Sequence, residues 1–316
     1  MGYGCLVTGG AGFIGSNLVA ALADRGERVR VVDDFSTGKR ENLEGLLDRI
    51  ELIEGSLVEG EICRRAVEDM DFVFHEAALA SVTRSVDDPV STDMANVGAT
   101  VRLLAAAKDA RVRRVVYAAS SSAYGDAEAS AKSEDLSPQP MSPYAVSKLA
   151  GEYYCRAFHT VYGLETISLR YFNVFGPNQD PSSPYSAVIP LFVTAILDGR
   201  APTIFGDGRQ SRDFSYVANA VHANLLAARA PARAVGQVFN IACGQSIDLL
   251  TLLAEIERIV GVHIEPEFAP PRPGDVRHSL ADLSKARELL KYEPVVWLRE
   301  GLERTIEWYR SHRERW

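Results

Sequence analysis

Tyr144 and Lys148 stand four residues apart in the stretch Ser142-Pro143-Tyr144-Ala145-Val146-Ser147-Lys148. An ammonium held near a phenol favours phenolate, and a phenolate formed near neutral pH is a usable general base. The pair can work together only on a helix, where a four-residue spacing puts both side chains on one face. The local sequence predicts that helix. Ser142 is a good N-cap, and Pro143 suits the first helical position, where its missing N–H costs nothing. A third group is a hydroxyl: Ser120 lies 24 residues before Tyr144, in Ala119-Ser120-Ser121-Ser122-Ala123-Tyr124-Gly125. A serine at the carboxyl end of a strand points into a crevice, where it can donate to an oxygen undergoing redox change. Taken alone, a Tyr and a Lys on a helix are ordinary, and a serine run is by default a turn. Their weight comes from what surrounds them.

Residues 3–8 read as a short buried strand, followed by Gly9-Gly10-Ala11-Gly12-Phe13-Ile14-Gly15 and a helical pattern to about Asp24. Strand, glycine turn and helix in that order make a Gly-rich motif credible. Gly9 permits the tight turn, Gly12 lets backbone amides approach a pyrophosphate at the helix N-terminus, and Gly15 permits close packing of the helix. A second strand, 28–32, runs into Asp33-Asp34, about twenty residues beyond the loop. Asp33 is suited to bind an adenosine ribose diol and would repel a 2′-phosphate, which predicts NAD over NADP. Strand-like runs recur at 50–53, 72–74 and 114–118, with helical stretches at 59–68 and 89–110 between them. This alternation predicts an α/β fold with a doubly wound parallel sheet and ligands beyond the carboxyl ends of its strands. At one such end stands His75-Glu76-Ala77-Ala78, whose alanines would let the chain pass close to a cofactor. His75 reads as a structural hydrogen-bonder, and Arg84 and Asp87-Asp88 as solvated loop charges.

The chain has 316 residues, long for one compact domain, so a large domain with a smaller one is expected. A net charge of −8 argues against nucleic acid or an anionic membrane as the main partner. An anionic substrate would need its own local arginines or lysines. Cys5, Cys63, Cys155 and Cys243 are widely separated, which suggests neither a zinc site nor a disulfide framework. Buried thiols in a reducing compartment are the plain expectation. The start shows no signal-peptide pattern and no apolar run reaches membrane-spanning length, so a cytoplasmic protein is expected.

The second half carries Arg170-Tyr171-Phe172-Asn173-Val174-Phe175-Gly176-Pro177 after a strand at 166–170. A helix is expected at 187–197, another from Val217, and two more between 284 and 316. With Thr8–Gly15, Asp33, Ser120–Gly125 and Tyr144-x-x-x-Lys148, these residues resemble the nucleotide-sugar epimerases of the extended short-chain dehydrogenase/reductase family. The resemblance covers essentially the whole chain. It implies a Rossmann fold over residues 1–170 and a smaller α/β substrate domain that takes up mainly 171–316, some segments returning to the first domain. It also implies Ser120, Tyr144 and Lys148 as the catalytic set and NAD as cofactor. Cofactor contacts are implied at Gly9, Gly12, Phe13, Ile14, Gly15, Asp33, Ser56, Leu57, Ala77, Ala78 and Asn96, and at Tyr144 and Lys148. Gly55-Ser56 departs from the Gly-Asp pair common in the family near the adenine.

Substrate contacts are implied at Ala80, Ser81, Ser120, Ser122, Asn173, Ala187 and Val188. Arg212 and Arg272 match diphosphate ligands, Asp275 a ribose ligand, and Ser279 the wall of the sugar pocket. Small residues at 80, 187 and 279 leave room for an acetamido group and resemble the UDP-N-acetylglucosamine branch, though a roomy pocket does not strongly reject UDP-glucose. Related dehydratases carry Asp-Glu after the catalytic Ser or Thr, and decarboxylases carry Glu in the second place. Ser121 and Ser122 cannot supply that carboxyl chemistry. An epimerase is therefore favoured over a dehydratase, decarboxylase or reductase. A non-catalytic NAD-binding regulator would be expected to have a broken Ser/Tyr/Lys set. The family further implies a homodimer built from helices 89–110 and 143–162, with a UDP-sugar as the partner molecule.

Overall fold

Seven parallel strands form the central sheet: β1 (Gly4–Thr8), β2 (Arg28–Asp33), β3 (Ile50–Glu54), β4 (Phe72–His75), β5 (Arg114–Ser120), β6 (Glu165–Tyr171) and the late strand Gln237–Ile241. The computed structural model describes residues 2–127, 129–182, 187–271 and 276–316. In space the order is Gln237–Ile241, β6, β5, β4, β1, β2, β3. The chain reverses direction of growth between β1 and β4, and a crevice opens at such a switch point. Strands such as Gly-Cys-Leu-Val-Thr in β1 are buried along their whole length because both sheet faces are covered.

Helices α1 (Phe13–Asp24), α2 (Gly60–Val67), α3 (Val82–Asp87), α4 (Pro89–Asp93), α5 (Ala99–Asp109) and α6 (Pro143–Tyr162) follow the first strands. They are joined later by α7 (Val188–Leu197), α8 (Val217–Ala228), α9 (Leu249–Val260), α10 (Ser284–Leu290) and α11 (Leu298–Ser311). Leu18 and Val19 of α1, Ala220 of α8 and Ala286 of α10 pack on one face of the sheet. Cys63 of α2, Leu103 of α5 and Cys155 of α6 pack on the other. A separate apolar cluster joins Phe192 and Ile196 of α7, Leu252 and Ile256 of α9, and Leu302 and Ile306 of α11. The chain is thus a doubly wound α/β fold, with a further apolar cluster formed by helices of its second half.

One expectation is modified, and one strand was not anticipated. The helix anticipated at 89–110 is α4, a π-turn at Met94–Gly98, and α5. Widened turns of this kind re-aim a side chain, and here Asn96 points inward. The strand Gln237–Ile241, beside β6, carried no clear signal, because its pairing with residues 167–171 is fixed only by the fold.

Candidate active site

Ser142 accepts the Ala145 N–H at 3.1 Å and caps α6 as its sequence predicts. Tyr144 and Lys148 therefore lie in its first turns, and both line a large cleft of about 730 Å³ above the sheet's carboxyl edge. Ser120 ends β5, and its hydroxyl hydrogen-bonds the Tyr144 phenol. Ser122 steadies it, donating its hydroxyl to Ser120 Oγ at 2.9 Å and its N–H at 3.2 Å. The three groups singled out by type and spacing are in one place.

Burial is the largest influence on the electrostatics of Tyr144 and Lys148. Burial pushes the Tyr144 phenol above its ordinary value, and the hydrogen bond to Ser120 is what draws it down. The Lys148 ammonium donates to the Ala118 carbonyl at 2.9 Å and lies over the Tyr117 ring. Burial brings Lys148 down to about 8, and Glu76 and Glu152 oppose that fall.

The other end of the cleft is the glycine turn. Gly9 adopts φ +66°, and a Cβ there would lie 2.6 Å from Ala77 Cα. A Cβ on Gly15 would lie 2.1 Å from Gly9 O, so Gly15 lets α1 pack against the turn itself rather than only against the strand. Gly12 caps α1 without a side chain, and no acidic residue follows in the first turn. Its N–H groups therefore face the cleft as an anion site, suited to a pyrophosphate. Asp33 closes the rim of β2, where its carboxylate accepts N–H bonds from Ala11 and Phe35, both at 2.9 Å. Each oxygen keeps a lone pair for a ribose hydroxyl. These residues fit NAD. Phe13, Ile14, Ser56, Leu57, Ala77 and Ala78 line the same cleft, as do Ala80 and Ser81. Ser81 also caps α3 by accepting the Arg84 N–H.

Asn96 is buried and holds internal partners: Oδ1 accepts the Leu79 N–H, and Nδ2 donates to Leu79 O and Ser147 Oγ. It holds the loop that forms the cleft wall and does not line the cleft. His75 behaves as expected of a structural residue, bridging Thr8 and Thr100 hydroxyls at 2.8 Å on each side. Burial takes it down to about 3, so the ring is neutral.

A second cavity of about 220 Å³ is lined by residues of the second half of the chain, Asn173, Ala187, Val188 and Arg212 among them. Ala187 lines both cavities and joins them. Asn173, at φ +34°, donates to Asp213 O. Arg212 Nη1 donates to Ser211 O at 2.9 Å, which fixes the stem of a guanidinium at the cavity wall. Ser279 is buried, its N–H bonded to Ser211 O, and lines neither cavity. Arg272 and Asp275 lie outside the described residues.

Several features had no signal in the sequence. Asn178 donates to Ser16 Oγ at 3.0 Å, Asn17 donates to Pro177 O, and Lys39 pairs with Asp180 at 3.2 Å, so the loop after β6 is fastened over α1. Glu76 lines the cofactor cleft and accepts the Tyr171 hydroxyl at 2.8 Å. Behind the site, Glu152 and Arg170 form a buried two-point ion pair at 2.9 and 2.7 Å. These partners are far apart in the chain, and no spacing rule connects them.

Fold and site together define a dinucleotide-binding enzyme of the short-chain dehydrogenase/reductase type. Residues 5–242 match the NAD dependent epimerase/dehydratase family, and the chain belongs to it. A UDP-glucose 4-epimerase of Mycolicibacterium smegmatis is 42% identical over 97% of this chain and 98% of its own. A UDP-N-acetylglucosamine 4-epimerase from Methanobrevibacter ruminantium, solved with UDP-N-acetylmuramic acid, is 40% identical with a TM-score of 0.94, covering 98% of this chain and 99% of its own. A UDP-glucose 4-epimerase from Thermotoga maritima, solved with UDP-glucose, is 39% identical with a TM-score of 0.93 and the same coverage.

Proposed function

We propose that this chain is an NAD-dependent UDP-hexose 4-epimerase, acting on the UDP-N-acetylglucosamine/UDP-N-acetylgalactosamine pair and also on UDP-glucose/UDP-galactose. The observation that carries the reading is that Tyr144, bonded to Ser120, and Lys148 line one cleft with the glycine turn. Similarity to 4-epimerases over nearly the whole chain supports it. So do the hydroxyls of Ser121 and Ser122 in places where elimination or decarboxylation would need carboxyl groups.

NAD, when bound, supplies reversible hydride acceptance. Tyr144 takes the proton from the sugar 4-hydroxyl and later returns it to the same oxygen. Ser120 donates a hydrogen bond to that oxygen, which steadies it as the carbonyl of a 4-keto sugar forms. Lys148, held by Ala118 O, adds positive potential where the phenolate develops. Asn173 and Arg212 in the second cavity, with Arg272 and Asp275, hold the UDP moiety, while small Ala80 and Ala187 leave the hexose free to turn over. Loss of one configuration at C4 and recovery of the other follow from that looseness.

Residues 1–170 serve as the cofactor domain and 171–316 mainly as the nucleotide-sugar domain. The protein acts as a homodimer through α4–α6, a reading supported by exposed Val86, Val90, Met94, Tyr153 and Val161 on those helices and beside them. Four unpaired, buried cysteines are in keeping with the cytoplasm. Separate incubation with UDP-N-acetylglucosamine and UDP-glucose, followed by proton NMR, tests the reading: a galacto-configured product is expected from each. A dehydrated, decarboxylated or pentose product would overturn it.

A further inference from the structure

Asp213 follows Arg212 in the short strand Ser211–Asp213, where alternation sends neighbouring side chains to opposite faces. Arg212 lines the second cavity, whereas Asp213 is fully buried away from it. A carboxylate next to an anion-binding guanidinium would oppose the anion unless its charge were spent elsewhere. It is spent on backbone. Oδ1 accepts the Cys243 N–H at 3.0 Å, and Oδ2 accepts the N–H groups of Gly244 at 3.0 Å and Ala281 at 3.2 Å. The Asp213 carbonyl accepts a further bond, from Asn173 Nδ2 at 3.2 Å, and Asn173 lines the same cavity as Arg212. One residue thus ties together the turn after β6, the chain beyond Gln237–Ile241, and the segment that contains Ala281.

We propose that Asp213 is a positioning residue for the nucleotide end of the substrate: its carboxylate gathers three backbone N–H groups, and the strand so anchored holds Arg212 and Asn173 at the cavity wall to receive a UDP group. The inference rests on the reading of the second cavity as the place of the UDP moiety. The strand needs such an anchor. Its ladder with Ser246–Asp248 pairs only three residues, Asp213 with Ser246, Arg212 with Ile247 and Ser211 with Asp248, and a two-stranded ribbon that short does not hold itself. Two backbone bonds, Ser211 N–H to Arg277 O at 2.9 Å and Ser279 N–H to Ser211 O at 3.1 Å, fasten only its first residue. The Asp213 carboxylate fastens its last. Burial raises that carboxyl to about 6, so it is ionised at about pH 8, and a carboxylate has lone pairs enough for all three donors.

Asp213→Asn, in NAD-loaded protein at about pH 8, tests this. In either orientation of the amide, at least one of the three N–H groups meets another donor. UDP affinity is read by titration calorimetry, and kcat and KM by initial rates with UDP-N-acetylglucosamine and UDP-glucose. The Kd for UDP and both KM values are expected to rise about tenfold or more, since a displacement of about 1 Å in a positioning group can cost 10²-fold. The kcat at saturating sugar and the NAD content are expected to stay within about twofold, the pattern of lost uniform binding. Asp213→Glu, which keeps the charge and both oxygens, is expected to lose less affinity. A purely structural Asp213 would lower the melting midpoint and leave the UDP Kd of the folded protein where it was. An unmoved Kd in the folded variant overturns the proposal, as does a loss confined to kcat. Should Asp213→Asn fail to fold, Asp213→Glu carries the test by the same two criteria. A wild type that binds no UDP would overturn the reading of the cavity itself, a failure distinct from that of an unmoved variant.

Discussion

Replacing Tyr144 by Phe removes one oxygen and changes little else. The phenol's partner is Ser120, whose Oγ still accepts from the Ser122 hydroxyl and N–H at 2.9 and 3.2 Å, so no buried group is orphaned. The loss of one hydrogen bond between neutral groups costs about 0.5–1.5 kcal/mol of stability. Lys148 keeps its bond to Ala118 O, and the glycine turn and Asp33 lie at the other end of the cleft, so NAD content should not change. Turnover is another matter. A positioned acid or base contributes roughly 10²- to 10⁴-fold, and Tyr144→Phe should lose at least that much of kcat. The assay pairs initial rates of 4-epimerisation with the NAD released per protein on denaturation and with the unfolding midpoint. A variant that keeps turnover within tenfold of wild type, with NAD bound and fold intact, would remove Tyr144 from the chemistry.

Other outcomes follow from the same geometry. Gly15→Ala places a methyl 2.1 Å from Gly9 O, and crowding against backbone of about 1–3 kcal/mol should distort the turn; purified protein should carry little NAD and melt lower. Glu152→Gln leaves the buried Arg170 guanidinium without its two-point partner and should cost roughly 3–5 kcal/mol in denaturant unfolding, with the NAD turn untouched. His75 is held neutral, with its folded-state value down at about 3 against an ordinary 6.5, so the unfolded chain binds the proton more readily. Its contribution is present above pH 6.5 and is lost as pH falls towards 3. The drop in unfolding free energy between pH 7 and pH 5 should be about 2 kcal/mol larger in wild type than in His75→Gln.

Local chemistry was readable from the chain alone. The Ser142 cap, the α6 start and the strand–glycine turn–helix each depend on a few neighbouring residues, and the structure has them at or within a residue or two of the expected places. The rise of the Tyr144 phenol was not readable, because it follows from burial in the folded cleft. The bonds of Asn96 to Leu79 and Ser147, set by the π-turn, were not readable either. Pairings between distant segments, such as Asn178 with Ser16 or Tyr171 with Glu76, leave no periodicity to detect. The return of Gln237–Ile241 to the edge of the central sheet belongs to the same class.

The central claim is that one hydrogen leaves C4 of a UDP-hexose and comes back to the same carbon from the opposite face while Tyr144 handles the hydroxyl proton. UDP-N-acetylglucosamine deuterated at C4, incubated with the purified protein in ordinary water and read by NMR and mass spectrometry, tests it directly. The account predicts UDP-N-acetylgalactosamine that retains its deuterium at C4. Deuterium lost to water, or a product with C4 unaltered and change elsewhere in the sugar, would contradict it.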